Sequence, residues 1–219
     1  MSDYLSQISK PKVKPPIISI VGYPGAGKTS LAAMFPAPIF IQTDDNSETV
    51  FQAWPEDLQP AFMPKIPRAN VKKNIRPSET VLDQLRELAS KQHDFKTVVF
   101  DTSTSLNLLI EEEVTIFDPF GADNIADASG GFHKGYKTVA TKHAKIRNAC
   151  EELRKRGMTV VFLCHTAVHK IKNSPDLPEC TVYGIDMHPD SRPFYVNHSD
   201  AVLYLKQLDY NKGLEVDKK

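Results

Sequence analysis

Ile17-Ile18-Ser19-Ile20-Val21-Gly22-Tyr23-Pro24-Gly25-Ala26-Gly27-Lys28-Thr29-Ser30-Leu31 joins an apolar run to a glycine-rich turn and then to a helical pattern. Residues Gly22 to Thr29 satisfy G-x-x-x-x-G-K-[ST] at every position. The glycines let successive backbone N–H groups curl around phosphate oxygens where the helix begins. Lys28 reaches the β- and γ-phosphates, and the Thr29 hydroxyl is suited to ligate Mg²⁺. The spacing therefore predicts an ATP-phosphate cradle made of Gly22, Tyr23, Pro24, Gly25, Ala26, Gly27, Lys28, Thr29 and Ser30, with ATP and Mg²⁺ as the groups held.

Outward from the loop, short apolar runs alternate with longer helical patterns, which predicts an α/β fold with a mostly parallel, twisted sheet. Strands are expected at Ile17–Val21, Ile39–Thr43, Thr97–Asp101, Thr159–Cys164 and Ala201–Lys206. Nearly all are aliphatic or β-branched, as for strands covered on both faces. Apolar spacing predicts helices over Lys28–Met34, Ser78–Gln92, Ser105–Phe117 and Phe132–Lys155, the last stopped by Gly157. Segments 44–76, 118–131 and 166–200 show no clear periodicity. Residues 1–16 contain Lys10-Pro11-Lys12-Val13-Lys14-Pro15-Pro16, a basic, proline-rich run that reads as an extended arm before a single domain over 17–219.

A P-loop needs an acid at a strand end to hold Mg²⁺ directly or through water. Thr97-Val98-Val99-Phe100-Asp101 supplies it, so Thr29 and Asp101 are the expected metal residues. The residue after Asp101 is Thr102, so a water-activating glutamate in that position is excluded. Phe40-Ile41-Gln42-Thr43-Asp44-Asp45 ends in two carboxylates at the edge where open α/β sheets bind ligands, and either Asp44 or Asp45 suits a general base. Val160–Thr166 is a buried-type run carrying His165, whose ring at a strand end would lie near the γ-phosphate.

Taken together, the Gly22–Thr29 loop, Asp44, the lone Asp101 and His165 resemble the RecA-like core ATPases, specifically the small RecA-like single-strand annealing recombinases of bacteriophages. The likeness covers roughly residues 17 to 205. RecA proper has glutamate where Asp44 stands and glutamine where His165 stands. The resemblance implies an ATPase that binds single-stranded DNA, assembles with itself as a filament or ring, and serves recombination, with a single-stranded-DNA-binding protein as a possible partner. It implies that His165 senses the γ-phosphate. It also places DNA-binding loops at about 118–131 and 166–180, the second containing His169, Lys170, Lys172 and Asn173.

Basic residues recur elsewhere. Lys65, Arg68, Lys72, Lys73 and Arg76 form a run without a carboxylate, and the 132–155 helix adds Lys134, Lys137, Lys142, Lys145, Arg147 and Arg154. Formal net charge is zero, so nucleic-acid affinity must come from such local patches rather than a global field. Arg192 is a candidate for reaching a neighbouring subunit's nucleotide, against a plain surface role. Cys150 and Cys164 fall at apolar positions and read as buried thiols in a reducing, cytosolic setting. No run approaches membrane-spanning length. Two other readings suit the same loop: a nucleotide or small-molecule kinase, and a nucleotide-gated binding module with little turnover.

Overall fold

The computed structural model describes residues 13–44, 47–171 and 180–207. Asp45, Lys172, Asn173 and most of the basic arm lie outside the described residues. The sequence-expected strands form as β1 (Ile17–Gly22), β2 (Pro38–Gln42), β4 (Thr97–Asp101), β5 (Thr159–Ile171) and β7 (Ala201–Leu205). Two further strands, β3 (Ala61–Phe62) and β6 (Cys180–Ile185), lie in segments whose sequence shows no clear periodicity. The helices are α1 (Lys28–Ala33), α2 (Pro77–Ser90), α3 (Ser103–Ile116), α4 (Lys134–Lys155) and the short α5 (Pro193–Val196).

The strands run in the order β3-β2-β4-β5-β1-β7, with every neighbouring pair parallel. The α/β class and the mostly parallel sheet are therefore as the alternation of patterns requires. Strand alternation divides the core into two layers. Ile20, Phe40, Val99, Val161 and Leu163 pack with Ala32 and Ala33 of α1 and with Phe51 on one face. Ile17, Val21, Ile41, Val98, Phe100, Val160 and Phe162 pack under α2, α3 and α4 on the other. Both Cys150 and Cys164 are fully buried, and burial pushes each thiol up to about 12.

The strand through His165 departs from expectation. His165 does not close it; β5 continues to Ile171 and folds back through β6 as an antiparallel ribbon, with Val168 opposite Tyr183 and Lys170 opposite Thr181. Within the ribbon the His169 ring lies against Gly184, where a Cβ would sit 2.7 Å from the imidazole, and Nε2 donates to the Ile185 carbonyl at 3.2 Å. The 118–131 segment is ordered by Asp118, whose carboxylate accepts from the backbone N–H groups of Phe120, Ala122 and Ser129.

Polar groups inside the helical layer are paired across elements. The fully buried Glu113 of α3 accepts from the Ser78 N–H at the start of α2 at 2.8 Å and from Lys142 of α4 at 2.7 Å. This one carboxylate caps a helix and neutralises a cation. Arg147 pairs with Glu151 and donates to the His198 carbonyl, and Arg154 joins Asp200 at 2.9 Å. Three of the basic residues of α4 are thus engaged by the fold itself.

His143 is buried as well. Its Nδ1 accepts from the Tyr195 hydroxyl at 2.7 Å, so Nε2 carries the proton and donates to the Asn107 amide oxygen at 3.1 Å. Burial lowers its pKa to about 3. The unfolded chain, with an ordinary histidine near 6.5, binds one more proton than the folded chain between about pH 6.5 and 3, so stability falls as pH falls. His143's share is about 1.4 kcal/mol per pH unit, or about 2 kcal/mol between pH 6.5 and 5. Urea unfolding of wild type and His143→Gln at these two pH values should show a smaller difference in the variant; equal differences would mean that His143 titrates normally in the fold.

Candidate nucleotide site

The loop leaves β1 at Gly22, and the geometry there accounts for the first glycine. A Cβ on Gly22 would lie 2.5 Å from the Leu205 carbonyl oxygen of β7, an approach no side chain survives. Gly25 and Gly27 take positive φ values of 77° and 90°, which turn the chain so that Lys28 begins α1. Lys28 is buried, and its Nζ donates to the carbonyls of Gly22 and Tyr23, each at 2.9 Å. Burial lowers its pKa, while the nearby Asp101 carboxylate opposes that shift.

Asp101 ends β4 with its carboxylate buried, and Thr29 Oγ1 donates to its Oδ2 at 3.0 Å. Burial raises the Asp101 pKa and the charge of Asp44 adds to that, while the bonds from Thr29 and Ser47 hold it down. The peptide bond between Asp101 and Thr102 is cis. Thr102 then caps α3, accepting from the Ser105 N–H at 3.1 Å.

Asp44 follows β2 by two residues. Its Oδ1 accepts from the Ser47 hydroxyl at 3.2 Å and its Oδ2 from the Ser105 hydroxyl at 3.4 Å. His165, opposite Gly22 in the β1–β5 register, presents Nδ1 to Lys28 Nζ at 3.4 Å, and its backbone N–H donates to Thr104 at 3.0 Å. Burial and the Lys28 charge lower its pKa, so the ring is neutral and can accept from Lys28.

Lys28, Thr29, Asp44, Ser47, Asp101 and His165 line one cleft of about 480 Å³, together with Pro24, Gly25, Gly27, Ser30, Val50 and Thr102. It therefore brings together Lys28, Thr29, Ser30, Asp44, Asp101 and His165. Ser47, Thr104 and Ser105 position these groups without having stood out in the sequence; the polar run Thr102-Ser-Thr-Ser105 after the strand acid was the available signal. The donor set fits a nucleotide with Mg²⁺. Among the described residues the three N–H groups of the buried ammonium go to two neutral carbonyls and one imidazole, partners that anionic phosphate oxygens can displace, and the Thr29–Asp101 pair offers two oxygen ligands for a hard cation.

The sequence-expected DNA residues lie on separate elements. Lys72 and Lys73 are exposed on the turn between Asn70 and Ile75, which follows β3 in the chain. Lys170 is exposed on the ribbon from β5, whereas His169 is folded against Gly184. Arg192 donates to the Met187 carbonyl at 3.0 Å, which ties its guanidinium to its own turn.

Lys28→Ala should leave the fold standing and abolish phosphate release, because the ammonium touches carbonyls and an imidazole rather than core side chains. Loss of such an electrostatic group is worth several kcal/mol in phosphoryl transfer, about 10²–10³-fold or more in turnover. Circular dichroism alongside a phosphate-release assay checks this; wild-type turnover in a folded variant would remove Lys28 from the site.

A family model described as an AAA domain matches residues 14–218. No curated protein matches the chain. The glycine loop, the strand acid and the parallel sheet that aligns them agree with that match over nearly the whole sequence. The chain belongs to the AAA domain family, with the P-loop architecture of nucleotide triphosphatases.

Proposed function

We propose that this protein is a Mg²⁺-dependent ATPase that uses its nucleotide state to control binding of single-stranded DNA, acting as an oligomer in annealing and recombination. The observation that carries the hydrolytic part is Asp44, whose carboxylate lines the same cleft as Lys28, Thr29 and Asp101. The hydroxyls of Ser47 and Ser105 orient it. In this reading Asp44 takes the proton of the attacking water, and Lys28 offsets the negative charge that develops on the phosphoryl oxygens. Thr29 and Asp101 would hold Mg²⁺, which when bound supplies positive charge to the phosphates. His165, bonded to Lys28, would register whether that ammonium faces a γ-phosphate.

The DNA part draws on the resemblance to RecA-like annealing recombinases and on the exposed Lys72, Lys73 and Lys170. A single-stranded-DNA-binding protein is a compatible partner. One observation favours a second reading. A further cleft of about 470 Å³, lined by Lys65, Arg68, Ser105 and Glu112, meets the first at Asp44 and could seat an acceptor for phosphoryl transfer.

Phosphate release with and without single-stranded DNA separates the readings: stimulation by DNA is expected, whereas label appearing on an added acceptor would make the protein a kinase. Asp44→Asn should lower kcat by about 10²–10⁴-fold with little change in ATP affinity, because a base acts on the water and not on the bound nucleotide. Asp45→Asn is the comparison; if it is the inactive variant, the base is one residue further along.

Binding of single-stranded DNA should weaken linearly in log affinity against log salt. Replacing Lys72 and Lys73 by glutamine should flatten that slope by about 0.7 for each phosphate that is no longer neutralised. An unchanged slope would return both lysines to ordinary solvated surface.

A further inference from the structure

Three tyrosines from distant parts of the chain meet beside the phosphate loop. Tyr183 of β6 stacks on Tyr204 of β7, with centroids 5.5 Å apart and planes 23° from parallel. Tyr23 of the loop meets Tyr183 edge-on at 6.2 Å. Packing normally buries such rings, yet these remain 45%, 59% and 42% exposed at Tyr23, Tyr183 and Tyr204. With Pro24, Ala26, Lys206 and Gln207 they line a cleft of about 600 Å³.

We propose that Tyr23, Tyr183 and Tyr204 form a stacking platform for bases of single-stranded DNA. The inference rests on the DNA-binding reading above and supplies the surface on which the bases sit. Aromatic faces accept any base, and flanking cations take the phosphates, the combination used for single strands without sequence preference. The cations are present. Lys206 lines the cleft, and Lys170 shares the ribbon face of Val168, Thr181 and Tyr183 through its cross-strand pairing. The described part of the ribbon, residues 166–171 and 180–185, contains no carboxylate to repel a phosphate.

Sheet alternation distinguishes this occupant from the base of the nucleotide itself. Leu205 packs with Ile18, Ile20 and α1, on the face where α1 carries Thr29 and Ser30 away from the loop. Tyr204 precedes Leu205 and therefore points to the opposite face, in register with Val21 of the α2–α4 layer. The platform thus lies across the loop from the wall that continues past the phosphates. Tyr23 still links the two places, since its own carbonyl accepts from Lys28.

The test uses the full chain and a single-stranded oligo(dT) carrying 2-aminopurine, read by anisotropy for affinity and by fluorescence quenching for stacking. Tyr183→Ala and Tyr204→Ala should each weaken binding about tenfold or more and relieve the quenching, with the salt slope unchanged. Tyr183→Phe should retain both, because the ring and not the hydroxyl does the stacking. ATP affinity and sedimentation of the DNA-free protein are measured on the same variants. If wild type binds DNA and both alanine variants bind and quench as it does, the platform assignment falls while the DNA reading stands. If ATP affinity falls instead, the cleft holds the nucleotide's base. If self-association falls instead, the cleft is where copies of the chain meet. If wild type binds no single-stranded DNA, the DNA reading itself falls.

Discussion

The cleft depends on β5 being hydrogen-bonded to β1 on one side and to β4 on the other. Parallel pairing fixes the level of each strand end relative to its neighbours. Gly22 is drawn level with His165, Leu163 with Asp101, and Asp101 with Gln42. The loop, the strand acid and the histidine therefore gather at one edge although they are far apart in the chain. Val160, Val161 and Leu163 are wholly buried between two helical layers, so β5 has no freedom to slip. A one-residue slip would turn its side chains to the wrong faces and separate Lys28 from His165.

That edge collects charge where a protein core ordinarily avoids it. Lys28 and Asp101 are buried within reach of one another's fields, and Asp44 adds a second carboxylate that each of them feels. Desolvation works against both ions, which is why the Lys28 pKa falls and that of Asp101 rises. Polyphosphate and a divalent cation would relieve both strains together, since one supplies anionic oxygens to the lysine and the other a positive charge to the carboxylate. The folded chain is thus electrostatically prepared for such a pair, at some expense to its own stability without it.

Much of this was legible because it is written locally. The glycines at 25 and 27 are demanded by their dihedral angles, and Asp101 announces itself by ending an unbroken apolar strand. What the sequence hid is tertiary. His165 looks like a strand end because polarity interrupts an apolar run, yet the strand continues where it leaves the core and solvent replaces helices on its faces. The alternation in Cys180-Thr-Val-Tyr-Gly-Ile185 is weak for the same reason: β6 packs on β5 rather than in a layered core. The basic α4 reads as a surface patch in sequence because Glu113 and Asp200, which engage Lys142 and Arg154, arrive from other elements. Ser47 and Ser105 were inconspicuous because a serine gains meaning only from the carboxylate it faces.

The cysteines have a practical consequence. Cys150 and Cys164 are sealed in the core with thiols that stay protonated at neutral pH, so neither offers a thiolate to a solvent-borne electrophile. Cys180 is exposed, and it stands opposite Ile171 where the described part of the ribbon ends. A maleimide dye added to the native protein would thus mark one place without any engineered residue. Among the described residues that place lies farthest along the element that rises from His165, so its fluorescence would follow the ribbon directly while nucleotide is exchanged beside His165.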